Sequence, residues 1–217
     1  KYYAHKIRGA TELALFRKSA EPQKQKAAVE ELAQAAQYWR LYASTALAQY
    51  ENPLWGNRVG YCDWRNLFSE VLNDFAIAGG QAGLASMPPT PGGTILEAEA
   101  GASDGAQKAA SIASHTGAGY LDFSTANDAG WVEWTFEAPK AGVYVLEVRY
   151  IRQQGRNAAH ITINGQNAGD IVLWTTGGES TWAWDRKPVT LSKGRNTIRL
   201  APKGTVLIDH LNVLSGL

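Results

Sequence analysis

The chain has 217 residues, 45% hydrophobic, 19% charged and 10% aromatic, with a formal net charge of +1. This is the profile of a globular protein of one large or two small domains. Near-neutral charge excludes an overall basic field for nucleic acid or anionic lipid, and no apolar run reaches the roughly 18–20 residues of a membrane-spanning helix. The single cysteine, Cys62, excludes an intramolecular disulfide and a Cys-rich zinc site.

Lys1 comes first and no leader precedes it, so the chain is expected to be processed or excised from something longer. Glycine divides it: residues 1–78 hold only Gly9, Gly56 and Gly60, and the other nineteen begin at Gly79. Residues 1–78 read as helical. Tyr3, Ile7, Ala10 and Ala14 form one face of a first helix, flanked by Leu13 and Phe16. Val29, Leu32, Ala36, Trp39, Ala43, Ala46 and Tyr50 stripe a second, with Pro22 suited to its first turn. Trp64, Leu67, Phe68, Val71, Leu72 and Phe75 mark a third, with Asp63 as N-cap. Glu51–Tyr61 holds Pro53 and Gly56 and reads as a loop whose aromatics, with Tyr50 and Trp64, pack on the helices or a neighbouring domain. Residues 79–93, with Pro88, Pro89 and Pro91, read as a Gly/Pro linker.

Residues 94–217 read as β. Tyr144, Leu146, Val148 and Tyr150 alternate with Val145, Glu147 and Arg149, the period of a half-buried strand. Ile161 and Ile163 lead into Asn164-Gly165, a tight-turn signal. Trp131–Phe136, Ile171–Trp174, Val189–Leu191, Thr197–Leu200 and Val206–Val213 are further strands. Between them stand turn residues at 139–142, Gly177-Gly178 and Lys193-Gly194. The expected fold is an N-terminal helical hairpin or bundle followed by an antiparallel β-sandwich of jelly-roll type.

Catalytic patterns fail their context. Gly101-Ala102-Ser103-Asp104-Gly105 matches G-x-S-x-G, with Asp185 and His210 following in order, but the motif needs a strand-to-helix turn and no helix follows. Glu97 and Glu99 stand two apart, so on a strand both face one way and repel. A hard cation such as calcium relieves this, and so does a solvated strand face. His5, His115, His160 and His210 show no ligand spacing and read as satisfied surface or core side chains. Arg149, Arg152 and Arg156 cluster near a turn. They form a solvated loop or a site for a carboxylated or sulfated ligand.

The order Leu96-Glu97-Ala98-Glu99-Ala100, Gly119-Tyr120-Leu121-Asp122-Phe123, Ala141–Tyr150, Ile161–Gly165, Leu191–Leu200 and Ile208-Asp209-His210-Leu211 resembles carbohydrate-binding module families 6 and 35. The resemblance covers residues 94–217. It implies a jelly-roll sandwich with structural calcium held by Glu97, Glu99 and Asp209. It also implies a loop-end glycan site at Tyr120 and the loop 175–184, with Trp182 and Tyr120 as stacking platforms. Glu179 stands where that pattern carries a stacking Trp, and Leu207 where it often carries Asn. Trp131, Trp134 and Tyr144 read as core. Trp174 fits either role, and Trp182 and Trp184, two apart, share a face.

The resulting expectation is a non-catalytic module, binding polysaccharide through Tyr120, Trp182, Glu179 and Arg156. It targets a larger extracellular glycoside hydrolase or lyase to its substrate. The helical half resembles regions that join a catalytic domain to a binding module. Nucleic acid and membrane are not expected as partners, and a monomer is. The alternative is a structural brace for a missing catalytic domain, without a glycan site. A self-sufficient enzyme using Asp/Glu pairs has no support beyond generic carboxylates.

Overall fold

The structure is a computed structural model that describes residues 1–50, 54–56, 60–62, 64, 67–80, 89, 91–176 and 179–215. The N-cap expected at Asp63, Pro53 of the expected loop, most of the 79–93 linker and the Gly177-Gly178 turn lie outside the described residues. The chain forms two compact units, Lys1–Ala85 and Ser86–Leu217.

The first unit holds helices α1 (Tyr2–Ser19), α2 (Pro22–Gln49) and α3 (Leu67–Ile77). Helix α1 stops because Ala20 turns left-handed at φ 58°, its N–H donating to the Phe16 carbonyl. Proline at the start of α2 then reverses the chain within two residues. Helix α2 buries the expected Leu32, Ala36, Trp39, Ala43 and Ala46. Tyr50, just past its end, is 57% exposed and stacks at 6.3 Å on Trp64. Within the expected loop, β1 (Leu54–Gly56) and β2 (Gly60–Cys62) pair as a small antiparallel hairpin.

The face expected for α1 is corrected. Tyr3 is 71% and Ile7 64% exposed, whereas Gly9 is buried. Close approach and charge chose the face. A Cβ on Gly9 would lie 2.6 Å from Leu32 Cγ and 3.3 Å from the Ala28 carbonyl oxygen, so glycine lets α1 press onto α2. Along the same face His5 meets Glu31 at 2.8 Å, Lys6 meets Asp74 at 2.6 Å and Lys24 meets Glu12 at 3.1 Å.

The second unit is all β: β3 (Thr94–Glu97), β4 (Ala102–Asp104), β5 (Gln107–Ala109), β6 (Tyr120–Asp122), β7 (Trp131–Ala138), β8 (Gly142–Ile151), β9 (Arg156–Ile163), β10 (Gln166–Trp174), β11 (Ala183–Leu191), β12 (Gly194–Pro202) and β13 (Leu207–Ser215). One antiparallel sheet runs β10-β9-β12-β7-β4; the other runs β11-β8-β13-β6-β5, with β3 also paired to β13. Inward residues of both sheets form one core, including Val132, Trp134, Phe136, Ile161, Ile198, Tyr144, Leu146, Val148 and Leu211. Asn164 and Gly165 both take positive φ, 52° and 76°, the demand of a type I′ hairpin turn. Ser103 lies on β4 with Val132 opposite, a strand setting rather than a nucleophile elbow.

Strand β8 departs from the half-buried pattern, because its outward residues are covered too. Glu147 is 0% exposed, accepting from Arg186 at 3.0 Å and from Asn212 at 3.1 Å. Inward, Tyr150 ties the two sheets together. Its hydroxyl donates to Asp185 on β11 at 2.5 Å and accepts from the Trp174 N–H on β10 at 2.6 Å. Tyr150→Phe removes both bonds without changing the packed ring. It should lower stability by about 1–3 kcal/mol in urea unfolding, with an unchanged circular dichroism spectrum.

Candidate functional site

The acidic cluster assembles from three segments. Strand β3 carries Glu97, β13 carries Asp209 and His210, and the connection between β5 and β6 brings Thr116 and Gly117 over them. Pairing of Glu97 with His210 in the β3–β13 register sets the first two side by side. Ligand atoms of Glu97, Asp209 and His210 lie within 4.8 Å of one another. Glu99, one turn beyond β3, accepts the Ala118 N–H at 2.7 Å. A Cβ on Gly117 would stand 2.4 Å from Glu99 Oε1 and 2.8 Å from Glu97 Cδ, so this loop lies on both carboxylates. Its φ of +58° suits glycine for the same position.

Asp209 is fully buried and fully engaged. Thr116 donates its N–H to Oδ1 at 2.9 Å, Arg149 donates to Oδ2 at 2.5 Å, and His210 Nδ1 stands 3.0 Å from Oδ2. The Thr116 hydroxyl also lies 2.7 Å from His210 Nδ1, so one ring nitrogen serves both Thr116 and Asp209. Burial pulls the Asp209 carboxyl upward, but bonds from His210, Arg149 and the Thr116 amide outweigh it and hold it below the ordinary range. Burial pushes Glu97 up; a 2.7 Å bond from the Thr116 hydroxyl opposes this, while Glu99 and Asp209 add to it. Glu99 Oε2 and His210 Nε2 are buried and have no hydrogen-bond partner among the described residues. The orphaned Glu99 oxygen beside crowded carboxylates fits a hard divalent cation held through oxygen.

Tyr120 and Trp182, the expected stacking platforms, are corrected. Tyr120 is 3% and Trp182 0% exposed. Their rings meet edge-on at 5.4 Å, with Ile151 in the same cluster. Trp182 Nε1 donates to the Ala113 carbonyl at 2.9 Å, the Tyr120 hydroxyl lies 3.1 Å from Ser111 Oγ, and Arg149 sits 5.3 Å over the Trp182 ring. Both rings therefore lie beneath the loop that delivers Thr116. Rings without an exposed face cannot stack on a sugar. Trp174 and Trp184 are buried too, and Trp131 is half-buried with Arg199 over it at 4.0 Å.

Glu179 is exposed, and the Arg156 side chain lies outside the described residues. The arginine cluster separates: Arg149 serves Asp209, while Arg152, 5% exposed, donates to the Lys203 carbonyl at 3.0 Å. The sequence reading missed Thr116, Gly117, Arg149 and His210. Arg149 carried a signal, its arginine cluster suiting a carboxylate, and His210 carried one only through its place next to Asp209. Arg149→Met would strand a buried carboxylate and should cost about 3–5 kcal/mol in chemical unfolding, more than Arg186→Met at the part-exposed pair with Glu147.

No family model matches the chain. Over 128 residues it is 30% identical to the cycloisomaltooligosaccharide glucanotransferase of Niallia circulans, an alignment covering 57% of this chain and 13% of that enzyme. The chain thus spans a small part of this curated relative. A family 35 carbohydrate binding module from Clostridium thermocellum superimposes with a TM-score of 0.53 at 28% identity, over 57% of this chain and 98% of the module. CBM35 from Paenibacillus barcinonensis does so with a TM-score of 0.54 at 27% identity, over 57% of this chain and 100% of that one. The β-sandwich of this chain resembles the family 35 carbohydrate-binding modules in both fold and sequence.

Proposed function

We propose that the sandwich is a non-catalytic polysaccharide-binding module of a larger extracellular carbohydrate-active enzyme, a glycoside hydrolase or lyase. The carrying observation is that modules solved as separate chains align with it over 98% and 100% of their own lengths. Binding alone is the mechanism. A tethered enzyme meets its insoluble substrate at raised effective concentration, so each module can bind weakly. With the aromatic pair buried, recognition rests on the polar loop end. There Asp128, Gln153 and Glu179 are exposed and Thr175 is half-buried. Hydrogen-bonding groups of this kind read sugar hydroxyls. A monomer suffices for this role.

Glu97, Glu99 and Asp209 would hold a structural calcium ion. Crowding supports a cation: three carboxyl groups, Glu97, Glu99 and Asp209, gather where Arg149 pairs with Asp209. Such an ion bridges the first and last strands of the sandwich and takes no part in chemistry. Calcium should raise the thermal midpoint and chelator lower it. Saturation at about 100 times the dissociation constant is worth about 2.7 kcal/mol. Glu99→Gln should remove most of that increment, and a midpoint indifferent to calcium in wild type counts against the assignment.

Burial of Tyr120 and Trp182 favours a second reading, a brace for a catalytic domain without a glycan site. Retention of the folded chain on neutral, uronic and sulfated polysaccharides separates the two. Retention on one class, weakened by Glu179→Ala combined with Gln153→Ala, supports the module. No retention on any of them supports the brace.

A further inference from the structure

The helical unit carries a groove of about 570 Å³ between the start of α1 and the middle of α2. That volume lies within the usual range of small-ligand sites. Its lining is aromatic rather than aliphatic: Tyr2, Tyr3, Tyr38, Trp39 and Tyr42, with Leu41 as the aliphatic member. Tyr3 is 71% and Tyr42 52% exposed, while Trp39 is 8% exposed. The rings brace one another. Tyr2 meets Tyr3 at 4.9 Å and Trp39 at 5.0 Å, Trp39 meets Tyr42 at 5.5 Å, and His5 stacks on Tyr38 at 5.1 Å.

A second observation points to a ligand. The Trp39 indole N–H is buried and has no hydrogen-bond partner among the described residues. A buried donor left unpaired costs free energy until an acceptor arrives.

We propose that this groove is a second glycan-binding site, taking one or a few pyranose units of a polysaccharide. Exposed Tyr3 and Tyr42 give flat apolar plates for the C–H face of a sugar ring, phenol hydroxyls line the rim, and Trp39 supplies a donor. Among the described residues that line the groove, Leu41 is the aliphatic member, whereas a docked helix seeks several such contacts. The choice of ligand class rests on the reading of the sandwich as a glycan binder; the site itself does not.

The test uses the whole chain in native gels containing dextran, galactomannan, xylan or pectin. The variants are Tyr3→Ala with Tyr42→Ala, Trp39→Phe, and the sandwich pair Glu179→Ala with Gln153→Ala. The double tyrosine variant should lose affinity about tenfold or more for at least one polymer, as expected for truncated aromatic anchors. Its thermal midpoint should not move, because both rings are exposed. Trp39→Phe, which keeps an aromatic ring and deletes the donor, should weaken binding to the same polymer. Wild-type affinity in the tyrosine variant, with loss confined to the sandwich pair, overturns this site and leaves the sandwich reading standing. No retention of wild type on any polymer overturns both. Self-association in sedimentation that the tyrosine variant abolishes, with polysaccharide binding unchanged, overturns it in favour of a second copy of the chain.

Discussion

A carboxylate with no water around it has to be satisfied by protein, and Asp209, buried on the last strand, imposes that demand on the sandwich. Two of its donors come from distant places in the chain, Arg149 on β8 and Thr116 from the connection before β6, while His210 stands next to it. Any one of these missing would leave a charge or a donor stranded in the interior. The three therefore fix one another, and the loop over the acidic cluster has little freedom to sit elsewhere. Glu97 joins through the same Thr116 hydroxyl, so the first strand is coupled to the last through side chains as well as the backbone ladder.

The same demand explains the fate of the aromatic pair. The connection that delivers Thr116 needs a floor, and Trp182 with Tyr120 provides it, the indole bonding Ala113 and the phenol meeting Ser111. Arg149 lies against the Trp182 ring while its guanidinium serves Asp209. These rings stabilise the acidic cluster instead of facing ligand. A sugar at this end of the sandwich would meet polar groups without a stacking plate, which lowers the affinity a single site can reach.

The elements were legible where one physical rule dominated. Period-two alternation placed β8, and Asn164-Gly165 placed its hairpin, because each depends only on neighbours in sequence. Where tertiary context decided, the sequence misled. The apolar face of α1 pointed outward because Gly9 and charged partners on α2 made a closer fit there, with Asp74 of α3 holding Lys6. Glu147 and Arg149 read as the wet side of a strand and are buried by partners that periodicity does not reveal. The acidic cluster was half legible. Like-charge spacing exposed Glu97 and Glu99, but Thr116 had no signature and Arg149, though part of a visible arginine cluster, reaches Asp209 only through folding.

Weak sites suit a polymeric ligand. A polysaccharide offers the same unit many times along one chain, so a second contact on the same polymer is paid for by tethering rather than by new diffusion. Under that condition selection on each site is relaxed. A polar sandwich end without stacking rings, and a tyrosine groove on the helices with an unpaired indole, are each poor alone. Together on one chain they combine to an affinity neither reaches alone, provided that a single polymer engages both. Burial of the aromatic pair in the sandwich and exposure of aromatics on the helical unit would then be two aspects of one arrangement. On the proposed reading, hydrogen bonds at the sandwich would set specificity and stacking in the groove would set residence time.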